Sequence, residues 1–417
     1  MSSRSAQTDP TATPSPTPSP TPTSTPSAPN DPHAFDAAPY GGGDPYADYR
    51  DEEHAFAQQV ELTDRRLGAG VLAANDELFA PRENLLVRER PVFQPGTFGH
   101  KGQIMDGWET RRRRNTAERP HPDEDTHDWA LIRLGAPGTV RGVVVDTAHF
   151  RGNYPQQISV EGACVPGSPG EEELLAPEVK WTELVPRSQV RGHAANGFEV
   201  DVPGRWTHLR LRQYPDGGIA RFRAYGEVLP DPEWLAALDV VDLAAVGNGA
   251  VVEDASDRFY SPPTNLLLPD QARAMGDGWE NRRRRVRGSN DWVRFRLAGE
   301  GTIRAIELDT SYFKGNAAGW AAISGCCAAA DGAGAGPQEA GEAGEAGDWF
   351  ELLPRTRLQP DTVHRFVLAD LPAGDRPVTH LRLDVFPDGG LARFRVHGRL
   401  TERGRARITA RFREAGM

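Results

Sequence analysis

The sequence predicts an all-β protein built from two tandem domains of the β-sandwich or jelly-roll kind, related by an internal duplication. Three observations point there. An ordered series of motifs occurs twice along the 417 residues, at offsets between 163 and 172. Within each copy apolar residues alternate with period two, the signature of a half-buried strand rather than a helix. Short strands are divided by Gly/Pro turns over roughly 150 residues per copy, the spacing of a sandwich or jelly roll.

The elements follow in order along the chain. Pro, Ser and Thr make up 22 of the first 30 residues. Such a stretch buries too little apolar area to offset the entropy of ordering. Gly41, Gly42 and Gly43 extend this character, so a disordered tail is expected over residues 1–55. The first copy is placed at 68–229, a linker or short helix at 230–246, the second copy at 247–400, and a C-terminal extension at 401–417. Met105-Asp106-Gly107-Trp108-Glu109-Thr110-Arg111 returns as Met275-Gly276-Asp277-Gly278-Trp279-Glu280-Asn281-Arg282, and each time four consecutive arginines are completed. Asp128-Trp129 returns as Asp291-Trp292, and Asp146-Thr147 through Phe150, Gly152 and Asn153 as Asp309-Thr310 through Phe313, Gly315 and Asn316. Trp181 with Pro186-Arg187 matches Trp349 with Pro354-Arg355. Pro215-Asp216-Gly217-Gly218 matches Pro387-Asp388-Gly389-Gly390, a turn in which Pro presets φ, Asp bonds back to the backbone and Gly takes positive φ. Flanking it, Leu209 and Leu211 alternate with arginines, as Phe222 does with Arg221 and Arg223. An Ala/Gly/Glu-rich insert at 328–347 corresponds to the loop-like stretch 166–177 and reads as a surface loop.

Composition excludes several classes. No apolar run approaches the roughly 18 residues of a spanning helix, and the first residues lack a basic start followed by an apolar stretch. Cys164, Cys326 and Cys327 form no CxxC pair and no disulfide framework. A soluble, cytoplasmic protein is expected, without membrane association. The charge of −11 is concentrated early: residues 1–60 hold eight acids and two bases, leaving −5 for the rest. That balance, without any RRM, KH or zinc-finger pattern, argues against nucleic acid. Of the 48 basic residues 45 are arginines; such a skew follows codon usage, so a single Arg-rich feature weighs less than a repeated one.

The residues that could carry chemistry lie mostly in the first copy. An extended Arg111-Arg112-Arg113-Arg114 puts Arg111 and Arg113 on one face and Arg112 and Arg114 on the other, and paired guanidiniums suit a carboxylate. The copies then differ. His127 precedes Asp128 where the second copy has Asn290, and His149 stands where it has Tyr312. Histidine exchanges protons near neutrality and its replacements do not, which suggests that the duplicates have diverged in role. The first copy also carries an insertion with His121, Asp123, Glu124 and Asp125. His121-x5-His127 fits no standard zinc spacing, and no GxSxG, P-loop or GxGxxG context is present.

At these residues the sequence resembles the allantoicase family, from about residue 75 to 400. The resemblance rests on Asp106-Gly107-Trp108-Glu109-Thr110-Arg111-Arg112-Arg113, His127-Asp128-Trp129, Val145-Asp146-Thr147-Ala148-His149-Phe150 with Gly152-Asn153, and the repeated Pro-Asp-Gly-Gly hairpin. It implies two jelly-roll-like, galactose-binding-like sandwiches and hydrolysis of allantoate to ureidoglycolate and urea, an attack on a linear amidine C–N bond in purine breakdown, usually by a homo-oligomer. No cofactor is assigned and no metal ligands are named, with the metal requirement left open. Roles follow from that chemistry: a carboxylate clamp (Arg111, Arg113), proton carriers (His127, His149) oriented by Asp128 or Asp146, and Glu109 and Asn153 for the ureido groups. Two alternatives compete: a tandem, non-catalytic carbohydrate-type binding protein, and a hydrolase of a related ureide. The histidine asymmetry speaks against the first, because a duplicated binder has no need of titrating groups in one copy only.

Overall fold

The computed structural model describes residues 37–328, 349–368 and 375–416. Each repeat is built on one strand of 19 residues, Asp128–Asp146 in the first and Asp291–Asp309 in the second. Both layers of the sandwich share this strand. Its first half pairs with Trp206–Tyr214, in register His208 to Arg133 and Gln213 to Asp128, and with Gly70–Ala74 on the other side. Its second half pairs with Arg221–Val228, Arg221 opposite Asp146, and with Ala195–Glu199. The change of layer falls at Gly135 and Gly138. A Cβ on Gly138 would lie 2.1 Å from the Glu227 carbonyl oxygen, so only glycine lets the strands cross this closely. Gln157–Ala163 and Thr182–Gln189 extend the first layer. The second repeat has the same order of strands. An all-β pair of sandwiches is what period-two alternation in both copies predicts.

Alternation decides the core. Ile132, Leu134, Val143 and Val145 point inward with Leu209, Leu211 and Phe222, while Leu131 faces the opposite side with Leu174 and Trp181. Trp108 and Trp279 are fully buried, and each indole N–H donates to a backbone carbonyl, of Asp76 (2.8 Å) and Asp257 (3.0 Å). A buried tryptophan thus satisfies its polar atom as it closes one end of each sandwich. Gly218 backs this end by lying against the Phe150 ring, where a Cβ would meet a ring carbon at 2.0 Å. Phe150 is itself fully buried and has no room to yield. Gly218→Ala is expected to cost about 1–3 kcal/mol, read as a lower thermal midpoint; an unchanged midpoint would contradict this packing.

Two boundaries differ from the expectation, and the C-terminal extension holds a helix within its expected bounds. Residues 37–55, assigned to the tail, are not loose where described: Tyr46 and Tyr49 pack near Ala148 and Phe150, and Arg50 bridges to Ala194. The three glycines masked the aromatic residues that follow them. The second repeat begins inside the expected linker, since Val241–Asp242 pairs with Gly398 and His397 and Leu243 is fully buried. The extension at 401–417 contains a helix, Glu402–Glu414, capped by the Thr401 hydroxyl accepting from the Gly404 N–H. It buries Ile408 on the second repeat and reaches the first through Arg411 to Glu227 (2.8 Å) and Phe412 under Arg205. Residues 329–347 of the insert lie outside the described residues.

Candidate active site

At one end of the first repeat three turns converge. Gly217, at φ 144°, lets the 214–217 turn press onto the 153–155 loop, where a Cβ would sit 2.6 Å from the Pro155 nitrogen. The Gly218 N–H then donates to the Asn153 carbonyl at 2.8 Å, fixing that loop. Asn153 in turn gives its side-chain N–H to Glu109 Oε1 at 2.8 Å. Glu109 leads off the edge of the buried Trp108 strand and is half-buried. Burial pushes its carboxyl above the usual range, against the Asn153 bond and the nearby Arg112 charge, which pull it down.

Two cavities meet at Glu109 and Asn153. The larger, about 720 Å³, is lined also by Arg112, Arg113, Arg114 and Arg187. The smaller, about 320 Å³, is lined also by His149, Arg151, Tyr40 and Phe93. One is therefore rich in guanidinium and the other aromatic around a histidine, and Phe79, Glu109, Gly152 and Asn153 border both.

The arginine quartet alternates as an extended strand requires, and the two expected to clamp a carboxylate, Arg111 and Arg113, each already hold a carboxylate of the protein itself. Arg111 is ion-paired to the buried Asp76, and Arg113 to the fully buried Asp128. The second repeat repeats both pairs, Arg282 with Asp257 and Arg284 with Asp291. A buried carboxylate needs a partner, and this need holds Arg111 and Arg113 in place. Arg112 and Arg114 face the larger cavity and make no ion pair among the described residues.

His149 is buried with φ of 68°, a left-handed conformation uncommon outside glycine. Its N–H donates to His193 Nδ1 at 2.8 Å, which supports that backbone. Its Nε2 lies 3.2 Å from the Pro91 carbonyl. A carbonyl only accepts, so Nε2 carries the hydrogen and Nδ1 keeps its lone pair. The ring stacks on Phe93, 5.4 Å between centroids. Burial lowers its pKa below the usual histidine value, and the Arg151 charge lowers it further. His193, 1% exposed, is pushed down to about 4 by burial.

The other expected residues fall elsewhere. His127 bonds through Nδ1 to the Asp125 carbonyl (2.8 Å) and packs on Tyr214 at the rim of the larger cavity. Asp128 accepts from Arg113 and from Asn75 Nδ2 (2.9 Å), not from His127. Asp146 accepts the Tyr49 hydroxyl (3.0 Å) and the Ala148 N–H, not His149. Neither aspartate orients a histidine; backbone carbonyls do so. Arg112, Arg114, Tyr40 and Phe93 line the two cavities and His193 backs His149, and none of them is among the residues expected from the sequence. The alternation of the quartet held a signal for the two arginines; His193 had none, because it lies 44 residues from its partner.

The repeats agree in the frame and differ in the cleft. Asn316 bonds Glu280 as Asn153 bonds Glu109, at 2.6 Å. Tyr312 takes the place of His149, is 48% exposed, and leans on Asp361 where His149 leans on His193. Ala317 and Gly319 stand where the first repeat has Tyr154 and Gln156, two residues of the larger cavity. Among the described residues no group of three or more His, Cys, Asp or Glu is placed to hold a metal ion, and no helix is long and apolar enough to cross a membrane.

A family model described as an allantoicase repeat matches residues 60–229 and 241–401. A probable allantoicase of Streptomyces avermitilis is 63% identical over 382 residues, covering 91% of this chain and 96% of that protein. An allantoicase of Dictyostelium discoideum is 38% identical over 338 residues, 81% of this chain and 86% of that one. The crystal structure of allantoicase from Saccharomyces cerevisiae superposes with a TM-score of 0.66 at 32% identity, covering 82% of this chain and 94% of that chain.

Proposed function

The chain belongs to the allantoicase family, and from that premise we propose that it hydrolyses allantoate to ureidoglycolate and urea in the cleft of its first repeat. It is a hydrolase of a linear amidine C–N bond. The observation that carries the reading is the 63% identity maintained over 91% of the chain. A tandem carbohydrate-type binder is not favoured by it.

Allantoate is one carbon bearing a carboxylate and two ureido groups. Releasing urea breaks a central C–N bond, so the departing nitrogen must gain a proton as the bond opens. A base must take a proton either from water attacking the carbon or from the retained ureido N–H, which yields an imine that water then enters. We assign the clamp on the carboxylate to Arg112 and Arg114, whose charged forks carry no ion pair among the described residues. Glu109, held towards its protonated form by burial, gives the proton to the leaving nitrogen. His149 takes the other proton on Nδ1, being held neutral by burial and oriented by the Pro91 carbonyl. Glu109 and His149 line the same cavity, which is what an acid and base acting on one carbon need. The proton on His149 returns to the Glu109 carboxylate through solvent before the next turnover. Asn153 bonds a ureido oxygen or nitrogen beside them.

His127 has no comparable place, since it lines neither cavity and only packs on Tyr214 at the rim of the larger one. His127→Asn is expected to lower kcat by less than about tenfold, below the ~10²–10⁴ that follows loss of a proton-transfer group. A larger loss would return His127 to the chemistry. Urea release from allantoate by the purified protein tests the activity itself. We place the reaction in the cytoplasm and in a homo-oligomer; the exposed Phe259, Tyr260, Tyr312 and Trp320 of the second repeat support association.

A further inference from the structure

Residues 40–53 precede the first residue matched by the family repeat, yet they lie against the proposed base. Tyr46 meets His149 edge-on, with 4.7 Å between ring centroids. Its hydroxyl donates at 2.7 Å to the Pro91 carbonyl, the same oxygen that receives His149 Nε2–H. A carbonyl has two lone pairs, so one oxygen ties the segment and the imidazole together. Tyr40 borders the His149 cavity and packs on Phe93, which stacks on His149. The segment is anchored along its length. Asp48 is ion-paired to Arg151, Arg50 exchanges backbone bonds with His193 and Ala195, and Glu52 lies 2.6 Å from Arg191. Tyr49 gives its hydroxyl to Asp146 at the end of the long strand.

We propose that this segment is a working wall of the active site and that Tyr46 is a positioning residue for His149. Tyr46 acts in two ways. Its hydroxyl steadies the Pro91 carbonyl, and that carbonyl keeps the hydrogen on Nε2 and the lone pair on Nδ1. Its ring excludes water from the imidazole, which disfavours the charged form. The charged and titrating groups facing His149 are Arg151 from its own loop, Asp106 and Arg221, His193, and on the segment's side Asp48, Tyr46 and Arg90. Removing the ring takes away only the uncharged Tyr46, leaves the other groups in place and admits water, so the effect on His149 has one sign: its pKa rises towards the ordinary value.

The proposal rests on the reading of His149 as the base, and the test separates the two. Steady-state kinetics on allantoate over pH 4–9 are measured for the full chain and for Tyr46→Ala, Tyr46→Phe and His149→Asn. Tyr46→Ala is expected to lower kcat by about tenfold or more, as misplacement of a reacting group does. It is also expected to move the acid limb of kcat to higher pH, towards about 6.5. A merely structural residue would shift the thermal midpoint and leave that limb where it was. Tyr46→Phe keeps the ring and is expected to retain the position of the limb while losing about threefold in kcat. Should Tyr46→Ala fail to fold, Tyr46→Phe decides alone: a loss of that size supports the proposal and wild-type kcat overturns it. With folded Tyr46→Ala, kcat within about twofold of wild type and an unmoved limb overturn it. If His149→Asn is inactive and Tyr46→Ala is normal, only this proposal falls. If His149→Asn turns over at the wild-type rate, the assignment of the base fails, and the proposal with it.

Discussion

His149→Asn is expected to lower kcat by about 10²–10⁴-fold, the range for loss of a general base, with little change in stability. Asparagine suits the experiment because it is among the few residues that tolerate positive φ, and position 149 stands at φ 68°. Its N–H still reaches His193 Nδ1, so the backbone bond survives. The pH profile supplies the sign. Activity needs neutral His149, so it is lost as pH falls through that group's lowered pKa. Activity needs protonated Glu109, so it is lost as pH rises through that group's raised pKa. His149→Asn should therefore erase the acid limb from the residual activity, and Glu109→Gln the alkaline one. Retention of the acid limb in the His149 variant would assign it to another group.

Replacing both Arg112 and Arg114 by Ala is expected to reduce kcat/KM by about 100-fold or more, since each charged hydrogen bond to a carboxylate contributes about 1.5–3 kcal/mol. Most of that loss should fall on KM, because the substrate carboxylate is bound equally before and during C–N cleavage. Arg111→Ala is the control on the opposite face. It leaves Asp76 without its guanidinium partner, and the expected result is a modest fall in thermal midpoint with KM unchanged. A KM defect in Arg111→Ala and none in the double variant would put the clamp back on the other face.

The fold was readable because it rests on local rules. Alternation at Leu209 and Leu211, the Pro215-Asp216-Gly217-Gly218 turn and the repeated Asp-Gly-Trp-Glu motif each report short-range constraints, and the duplication states them twice. Glu109 and Asn153, chosen as partners in one site, are hydrogen-bonded to each other. What escaped depends on distance in sequence. Nothing in the run of four arginines says that Asp76 and Asp128, 35 and 15 residues away, neutralise one face. Of the two aspartates expected to orient histidines, Asp128 is taken by Arg113, and Asp146 by the Tyr49 hydroxyl and the Ala148 N–H. The wall at residues 40–53 was hidden by its setting, since Tyr46 and Tyr49 follow a long stretch whose composition predicts disorder. Their contacts with Pro91 and Asp146 are long-range, and composition does not report those.

The central claim is that the cleft of the first repeat hydrolyses allantoate. Urea released from allantoate by the purified full chain, measured beside Glu109→Gln and His149→Asn at the same concentration, tests it most directly. The expected result is one urea and one ureidoglycolate per allantoate consumed by the wild type, with both variants slower by about 100-fold or more. A wild-type chain that releases no urea, or variants that release it at the wild-type rate, would contradict the account.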